Sequence, residues 1–366
     1  VYNGSLNQIL TQQNRRKVEE ARAELTQTQT ATTRRLVEMF FAIANWRRLY
    51  ELAQANLAYQ QALLAVAQLK EKAGIGAGVD VLRAQVGVEQ TQVALLNTQS
   101  DQETARESLA QTIGAVLETQ FAVPDLLPQP SLPPTARAAL VGIAEQNRPE
   151  VAAARAGVAV AQLSRSTIDT DLLPQVNVFA SFGNQTSPTG FVDTQNQVSF
   201  LNHACAPNPN QVSCIGFPFA NVTRGTPGFW DIGATSTLSL PIVDWGTRAA
   251  AHRSANQAIA SAQLALDSAK TATEEDVVES LRKAQTALEA LTYQRKAADL
   301  GSEAARIAQL QYRNGLLSLT DTKAAQATAL QTQADLYSAQ IAYINAVVKL
   351  RTSLGTFDPA ATVADL

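Results

Sequence analysis

The stretch "EKAGIGAGVDVLRAQ" runs from Glu71 to Gln85 and interrupts an otherwise proline-free, Ala/Gln/Leu-rich segment. A second interruption, "YRNGLLSLTDTKAAQ", runs from Tyr312 to Gln326. A shift of 241 positions lays one on the other, so that Gly74 meets Gly315 and Asp80 meets Asp321. The register holds without a gap from Ala67–Leu69 against Ala308–Leu310, through Gln90–Gln92 against Gln331–Gln333, to Gly114 against Gly355. Chance agreement in an Ala/Gln-rich chain does not keep both glycines and the aspartate at one offset. The chain is an internal duplication.

Each copy follows one plan. A glycine opens it, Gly4 in "VYNGSLNQ" and Gly246 in "VDWGTRAA". A long helix-favouring arm leads to the glycine break, and a shorter one ends at Gly114 or Gly355, residues that terminate helices well. At 1.5 Å per residue the longer arm spans about 100 Å. A helix of that length needs lateral partners. Apolar residues such as Ile259, Leu264, Val277, Leu281, Leu288 and Leu291 recur at helical spacing, with small and polar residues between them. This is not the strict seam of a two-stranded coiled coil.

Composition narrows the function. The chain has 366 residues and a formal charge of -3, without the basic excess of a nucleic-acid binder. No apolar run reaches the roughly 18 to 20 residues of a membrane helix. The opening "VYNGSLNQ" is not a signal peptide, and without an initial Met an incomplete or processed amino end is expected. His203 and His252 lie in separate segments, and His203 with Cys205 and Cys214 lacks a fourth metal ligand. No nucleophile elbow, P-loop or dinucleotide motif is present, and "GIGAG" has no strand before it. No enzyme activity, cofactor or metal is expected. Cys205 and Cys214 share one loop, "HACAPNPNQVSC", where a disulfide fits an oxidising compartment. The alternative is two unrelated free thiols.

Between the copies lies a linker with five prolines from Val123 to Pro134, then a helix from about Pro149 to Ile168. From Leu173 the period changes to two. Val176, Val178, Ala180 and Phe182 share one face of a strand. Trp230, Ile232, Ala234, Leu238, Leu240 and Ile242 share one face of another. Their length fits tilted transmembrane strands, with those faces toward lipid. Two strands cannot close a barrel, and an open edge is not tolerated in lipid, so several chains must share one. A soluble β-sandwich edge is the alternative.

The order of helix, strand, long loop, strand, long helix, glycine turn and helix, in tandem, resembles the TolC-like outer-membrane efflux proteins. The resemblance rests on "NRPEVAAARAGVAVAQLSRSTIDTDLLPQVNVFASFG", "LSLPIVDWGTRAAAHRSA" and the two glycine breaks. It implies a mainly α fold with a β-barrel contribution: antiparallel helical hairpins forming a trimeric periplasmic tunnel, and strands forming a shared twelve-stranded barrel. The segments then read as hairpin one at 1–114 with its tip near 73–79, a Pro-rich equatorial linker at 115–148, a helix at 149–172, a transmembrane β-hairpin with a long extracellular loop at 173–245, hairpin two at 246–355 with its tip near 314–319, and a tail at 356–366. The family pattern also has an upstream helix and strand pair that this sequence does not contain, and "VYNGS" reads as the end of a strand and its turn.

The implied function is a passive export duct, gated where the helices converge. Its partners would be two further copies, outer-membrane lipid, and a periplasmic adaptor with its inner-membrane pump. Asp80 and Asp321 from three chains would form an acidic ring, with Tyr312 and Arg313 in the gate. Helix capping is the plainer role for both aspartates. The family's basic latch partner falls near Leu317, which is apolar here, and Arg83 or Lys323 are possible substitutes. Gly74, Ile75, Gly76, Gly315, Leu316 and Leu317 would form tips on which the adaptor docks, beyond the turn geometry that glycine serves anyway. The competing readings are a periplasmic adaptor, which needs only one hairpin, and a structural coiled coil.

Overall fold

The computed structural model describes residues 2–3, 5–122, 127–128, 130–133, 136–183, 215–217, 229–238 and 243–358. It divides into two units. One comprises 1–25 with 149–270, the other 26–148 with 271–366.

The first unit holds the sheet. Strand β1 (Tyr2–Asn3) leads into α1 (Leu6–Lys72). Helix α4 (Pro149–Ser166) precedes β2 (Gln175–Gly183), and β3 (Ile215–Phe217) and β4 (Phe229–Leu238) precede α5 (Thr247–Arg313). The strand order is β1-β2-β4-β3, and every pairing is antiparallel. Period two along the chain becomes register across the sheet: Val176 is opposite Ser236, Val178 opposite Ala234, Ala180 opposite Ile232, and Phe182 opposite Trp230. Directly opposed positions share a face. The apolar set of one strand therefore lies on the same face as that of the other. Leu238 ends β4 and is half-buried, opposite Ile215 of β3. Leu240, Cys205 and Cys214 lie outside the described residues, as do the side chains of Phe182, Trp230 and Ile232.

The strand-to-helix turn is also duplicated. The 241 offset pairs Gly246 (φ 79°) with Ser5 (φ 67°), and both take the left-handed conformation. Gly4, taken from the sequence as the opening glycine, lies outside the described residues. Neighbouring side chains hold the two turns: Asp244 Oδ1 accepts from the Gly246 N–H at 2.9 Å, and Asn3 Oδ1 from the Asn7 N–H at 3.1 Å. Elsewhere in this unit, Asp169 Oδ1 accepts from Arg248 at 3.3 Å and lies 3.0 Å from His252 Nε2. The hydrogen bond to His252 is the largest effect holding the Asp169 carboxyl below its ordinary range; burial opposes it, and the hydrogen bond to Arg248 adds a smaller lowering.

The second unit holds the rest of α1, α2 (Gly78–Ile113), α3 (Arg137–Asn147), most of α5 and α6 (Leu319–Ser353). Helix α3 was not foreseen, because the sequence reads as a linker there. It forms because Leu140 and Ala144, one turn apart, bury against Val277 and Ala284 of α5 and Leu350 and Leu354 at the end of α6. It stops at Arg148, whose extended backbone precedes Pro149. Phe41 of α1 packs on Ile341, Ile344 and Val348 of α6. Tyr343, also on α6, packs against Leu291 and donates from its hydroxyl to the Pro130 carbonyl at 2.6 Å. No described helix is long and apolar enough to cross a membrane.

Candidate functional site at the hairpin tips

Both glycine breaks close in the same way. At the first, the Gly74 N–H bonds to the Glu71 carbonyl at 2.9 Å and the Ile75 N–H to the Lys70 carbonyl at 3.0 Å. At the second, Gly315 bonds to Tyr312 at 3.0 Å and Leu316 to Gln311 at 2.8 Å. Gly74 (φ 73°) and Gly315 (φ 77°) are left-handed. This is the six-to-one and five-to-two pattern of a Schellman helix stop. The long helices therefore stop at the two glycines, and α2 and α6 start within four residues of them. Gly76 is needed for space, since a Cβ there would lie 2.8 Å from Lys70 Cβ and 2.9 Å from its carbonyl carbon.

A Schellman stop usually folds its apolar residue after the glycine back onto the helix. Here Ile75 and Leu316 occupy that place and are 78% and 77% exposed. At the turn itself each hairpin presents a large aliphatic side chain to its surroundings. Leu317 is half-buried.

The two tips pack on each other. Leu63 and Ala67 of α1, Val81 and Ala84 of α2, Tyr312 of α5 and Leu319 of α6 form one buried cluster. Tyr312 is 4% exposed. Burial, and after it the charge of Asp80, push its phenol pKa up. Tyr312 is thus a packing residue between the hairpins of one chain, whereas Arg313 beside it is exposed.

Two ammonium groups clasp this seam. Lys70 Nζ from the first hairpin donates to the Tyr312 carbonyl and lies 3.9 Å from the centre of the Tyr312 ring. Lys323 Nζ from the second donates to the Arg83 carbonyl at 2.7 Å. Burial lowers the Lys323 pKa. Its ammonium runs over Gly87, where a Cβ would stand 2.5 Å from Nζ and 3.0 Å from the buried Gln60 Oε1. Sequence reasoning offered Lys323 only as a substitute latch and missed Lys70. Both reach main-chain carbonyls, which leave no mark on the sequence of the acceptor.

The aspartates have separate local partners. Asp321 sits in a capping arrangement: its N–H donates to Ser318 Oγ at 3.1 Å, and that hydroxyl donates to Asp321 Oδ2 at 2.6 Å. Asp80 has no such cap, because Ala77 replaces the serine, and it lies 3.6 Å from Arg83. Both stand in a first helical turn, where a carboxylate is favoured. Among the described residues no cluster of His, Cys, Asp and Glu could hold a metal.

Two long helical arms in tandem, each broken by the same glycine turn and followed by a second helix, define a helical-hairpin protein. The model of the outer membrane efflux protein family matches residues 1–115 and 140–356, and the chain belongs to that family. It is an outer-membrane protein of a channel family, not an enzyme. Solved structures agree on the fold. The outer-membrane channel OprN aligns with a TM-score of 0.71 at 20% identity, over 94% of this chain and 70% of that one. The outer membrane protein VceC of Vibrio cholerae gives 0.70 at 16%, over 96% and 76%. The outer membrane channel CmeC of Campylobacter jejuni gives 0.70 at 14%, over 98% and 70%. A search of curated proteins gives no match.

Proposed function

We propose that three copies of this protein share one β-barrel in the outer membrane and one helical tunnel below it, a passive duct for solutes delivered by a periplasmic adaptor and an inner-membrane pump. The observation that carries the reading is the pair of exposed aliphatic tips, Ile75 and Leu316, set on identical turns. Apolar groups held open on a rigid turn suit docking to a partner. Gly74, Gly76 and Gly315 shape these tips, and Leu317 flanks the second. The sheet supports shared closure. Val176, Val178, Phe182, Trp230, Ile232 and Leu238 fall on one face by register, and an unclosed sheet in lipid would leave backbone groups unpaired. In this reading that face meets lipid.

Asp80 and Asp321, repeated threefold, form the acidic ring at the tunnel mouth, with Arg313 beside it. Capping and ring formation are compatible, since a capped carboxylate keeps its charge. Tyr312 acts by holding the two hairpins of a chain together. A periplasmic adaptor would carry one hairpin rather than two in tandem.

The test is conductance of the full-length protein in planar lipid bilayers, with multivalent cations added from the tip side. Cation-sensitive single channels are the expected result, with Asp80→Ala/Asp321→Ala relieving the block. The duct reading fails if the purified protein conducts no ions, and the acidic ring fails if the double variant is blocked as strongly as the parent.

A further inference from the structure

The sheet-side ends of the helices in the first unit carry charge opposite in sign to that of the whole chain. The net charge is -3, yet Arg15, Arg16 and Lys17 of α1 come before any carboxylate side chain in the sequence, the first being Glu19. Arg165, near the end of α4, and Arg253, in the second turn of α5, are exposed at the same end. Large apolar groups mark where this charge begins. Leu173 before β2, Val243 after β4 and Trp245 at the turn into α5 are all exposed, Trp245 at 86%. Trp245 is left-handed, φ 51°, which is uncommon for a bulky residue. Indole side chains at the edge of a membrane protein's apolar band settle at the level of the lipid headgroups.

Further along, a cleft of about 470 Å³ opens between α1 and α4. Gln12, Arg15 and Arg16 line one wall, Gln162 and Ser166 the other, and Ala159 and Leu163 add an apolar side. The walls are tied together, because Gln13 Nε2 donates to Ser164 Oγ at 2.7 Å from one helix to the other. Glu19, also on the cleft, pairs with Arg16 at 2.7 Å. Arg15 has no such partner among the described residues. The cleft therefore offers one uncompensated guanidinium, two amides and a hydroxyl, a donor set suited to a phosphate oxyanion.

Building on the lipid-facing sheet proposed above, we infer that this cleft holds the phosphate of an anionic phospholipid from the outer-membrane leaflet on the helix side. Arg15 lies nine residues beyond Leu6, the start of α1, which is about 14 Å along the helix. Helical side chains lean toward the N-terminus, which for α1 is the sheet. The headgroup layer extends roughly 5–7 Å beyond the hydrocarbon on each side. An extended arginine leaning toward the sheet closes most of the remaining distance. A free phosphate would meet the same donors. The lipid is favoured because Ala159 and Leu163 have nothing to offer an inorganic anion, whereas they suit the glycerol and first acyl carbons of a phospholipid.

The test adds phosphatidylglycerol to the full-length protein in mild detergent and counts bound lipids by native mass spectrometry. Arg15→Gln/Arg16→Gln removes the guanidinium groups of the cleft; both residues are exposed, so the core is untouched. Arg282→Gln/Arg295→Gln makes the same charge change at exposed positions of the second unit. The cleft variant is expected to bind phosphatidylglycerol about fivefold or more weakly than the parent, and the control variant as well as the parent. Phosphatidylcholine is expected to bind the parent more weakly, and soluble glycerol 3-phosphate to leave the bound lipid in place. Equal lipid binding by the parent and the cleft variant overturns the inference. So does equal retention of phosphatidylcholine, which means that charge is not recognised. Displacement by glycerol 3-phosphate assigns the cleft to a soluble phosphate and overturns the lipid. A parent that conducts ions in planar bilayers but retains no phospholipid sinks this inference alone. A parent that is soluble without detergent and does not conduct sinks the lipid-facing sheet as well.

Discussion

Gly114 and Gly355 occupy equivalent places in the two copies, and replacing each by alanine separates backbone strain from crowding. Their dihedrals match, φ 70° and φ 66°. A side chain in the left-handed region costs about 1–2 kcal/mol. Loss of glycine's freedom in the unfolded chain returns about 0.4–1 kcal/mol. Gly114→Ala meets nothing within 4 Å, so its net cost is about 0.5–1 kcal/mol. Gly355→Ala has the same backbone cost, but its Cβ would lie 2.8 Å from the Asn147 carbonyl carbon and 2.9 Å from its oxygen and Cβ. Main-chain atoms cannot rotate away. The end of α6 and the end of α3 must shift apart, which adds about 1–3 kcal/mol of overpacking strain. Guanidinium unfolding of the two variants, with hydrogen exchange at Leu354–Thr356, measures the difference. Gly355→Ala should be the less stable by more than about 1 kcal/mol, with faster exchange at the end of α6. Equal destabilisation of the two variants would refute the claim that α3 is packed against this turn.

Other consequences are open to measurement. Lys323→Met should weaken the internal seam by about 1 kcal/mol, a charged hydrogen bond discounted for its exposure, and speed hydrogen exchange around Val81 and Leu319. Gly87→Ala should do the same by displacing the Lys323 ammonium, and the two changes together should cost little more than either alone. Tyr343→Phe leaves the Pro130 carbonyl without its donor and should cost about 1–2 kcal/mol by chemical denaturation. Asp169 has a depressed pKa, so its stabilising effect is complete above the ordinary carboxylate range and disappears as pH falls through the lowered value. Asp169→Asn should therefore destabilise near pH 7 and converge with the parent in strong acid, read from denaturation midpoints across pH.

Much of this architecture was written in features of short range. The glycine breaks were legible because a left-handed helix stop requires Gly at one position, and the duplication required it twice. The strand faces were legible because alternation fixes which residues share a face, whereas the register among pairings that differ by two residues is set only in the folded sheet. Helix α3 was hidden by the prolines before it. Its stability comes from contacts with α5 and α6, far away in sequence. Ser5 left no mark in the sequence because serine seldom adopts the left-handed conformation that it shares with Gly246. At the tips, nothing in the sequence around Tyr312 showed that its ring is buried among residues of both hairpins. Lys70 and Lys323 were the hardest to find. A lysine that seeks a backbone oxygen has no complementary side chain to betray it, and only the folded seam brings donor and acceptor together.

The most direct check on the account is the number of chains in the particle. Native mass spectrometry of the full-length protein extracted from outer membranes in mild detergent should give three copies, released only when the detergent is stripped or the protein is unfolded. A stable single chain or a pair, soluble without detergent, would mean that the apolar strand face is not shared in lipid and that no common duct exists.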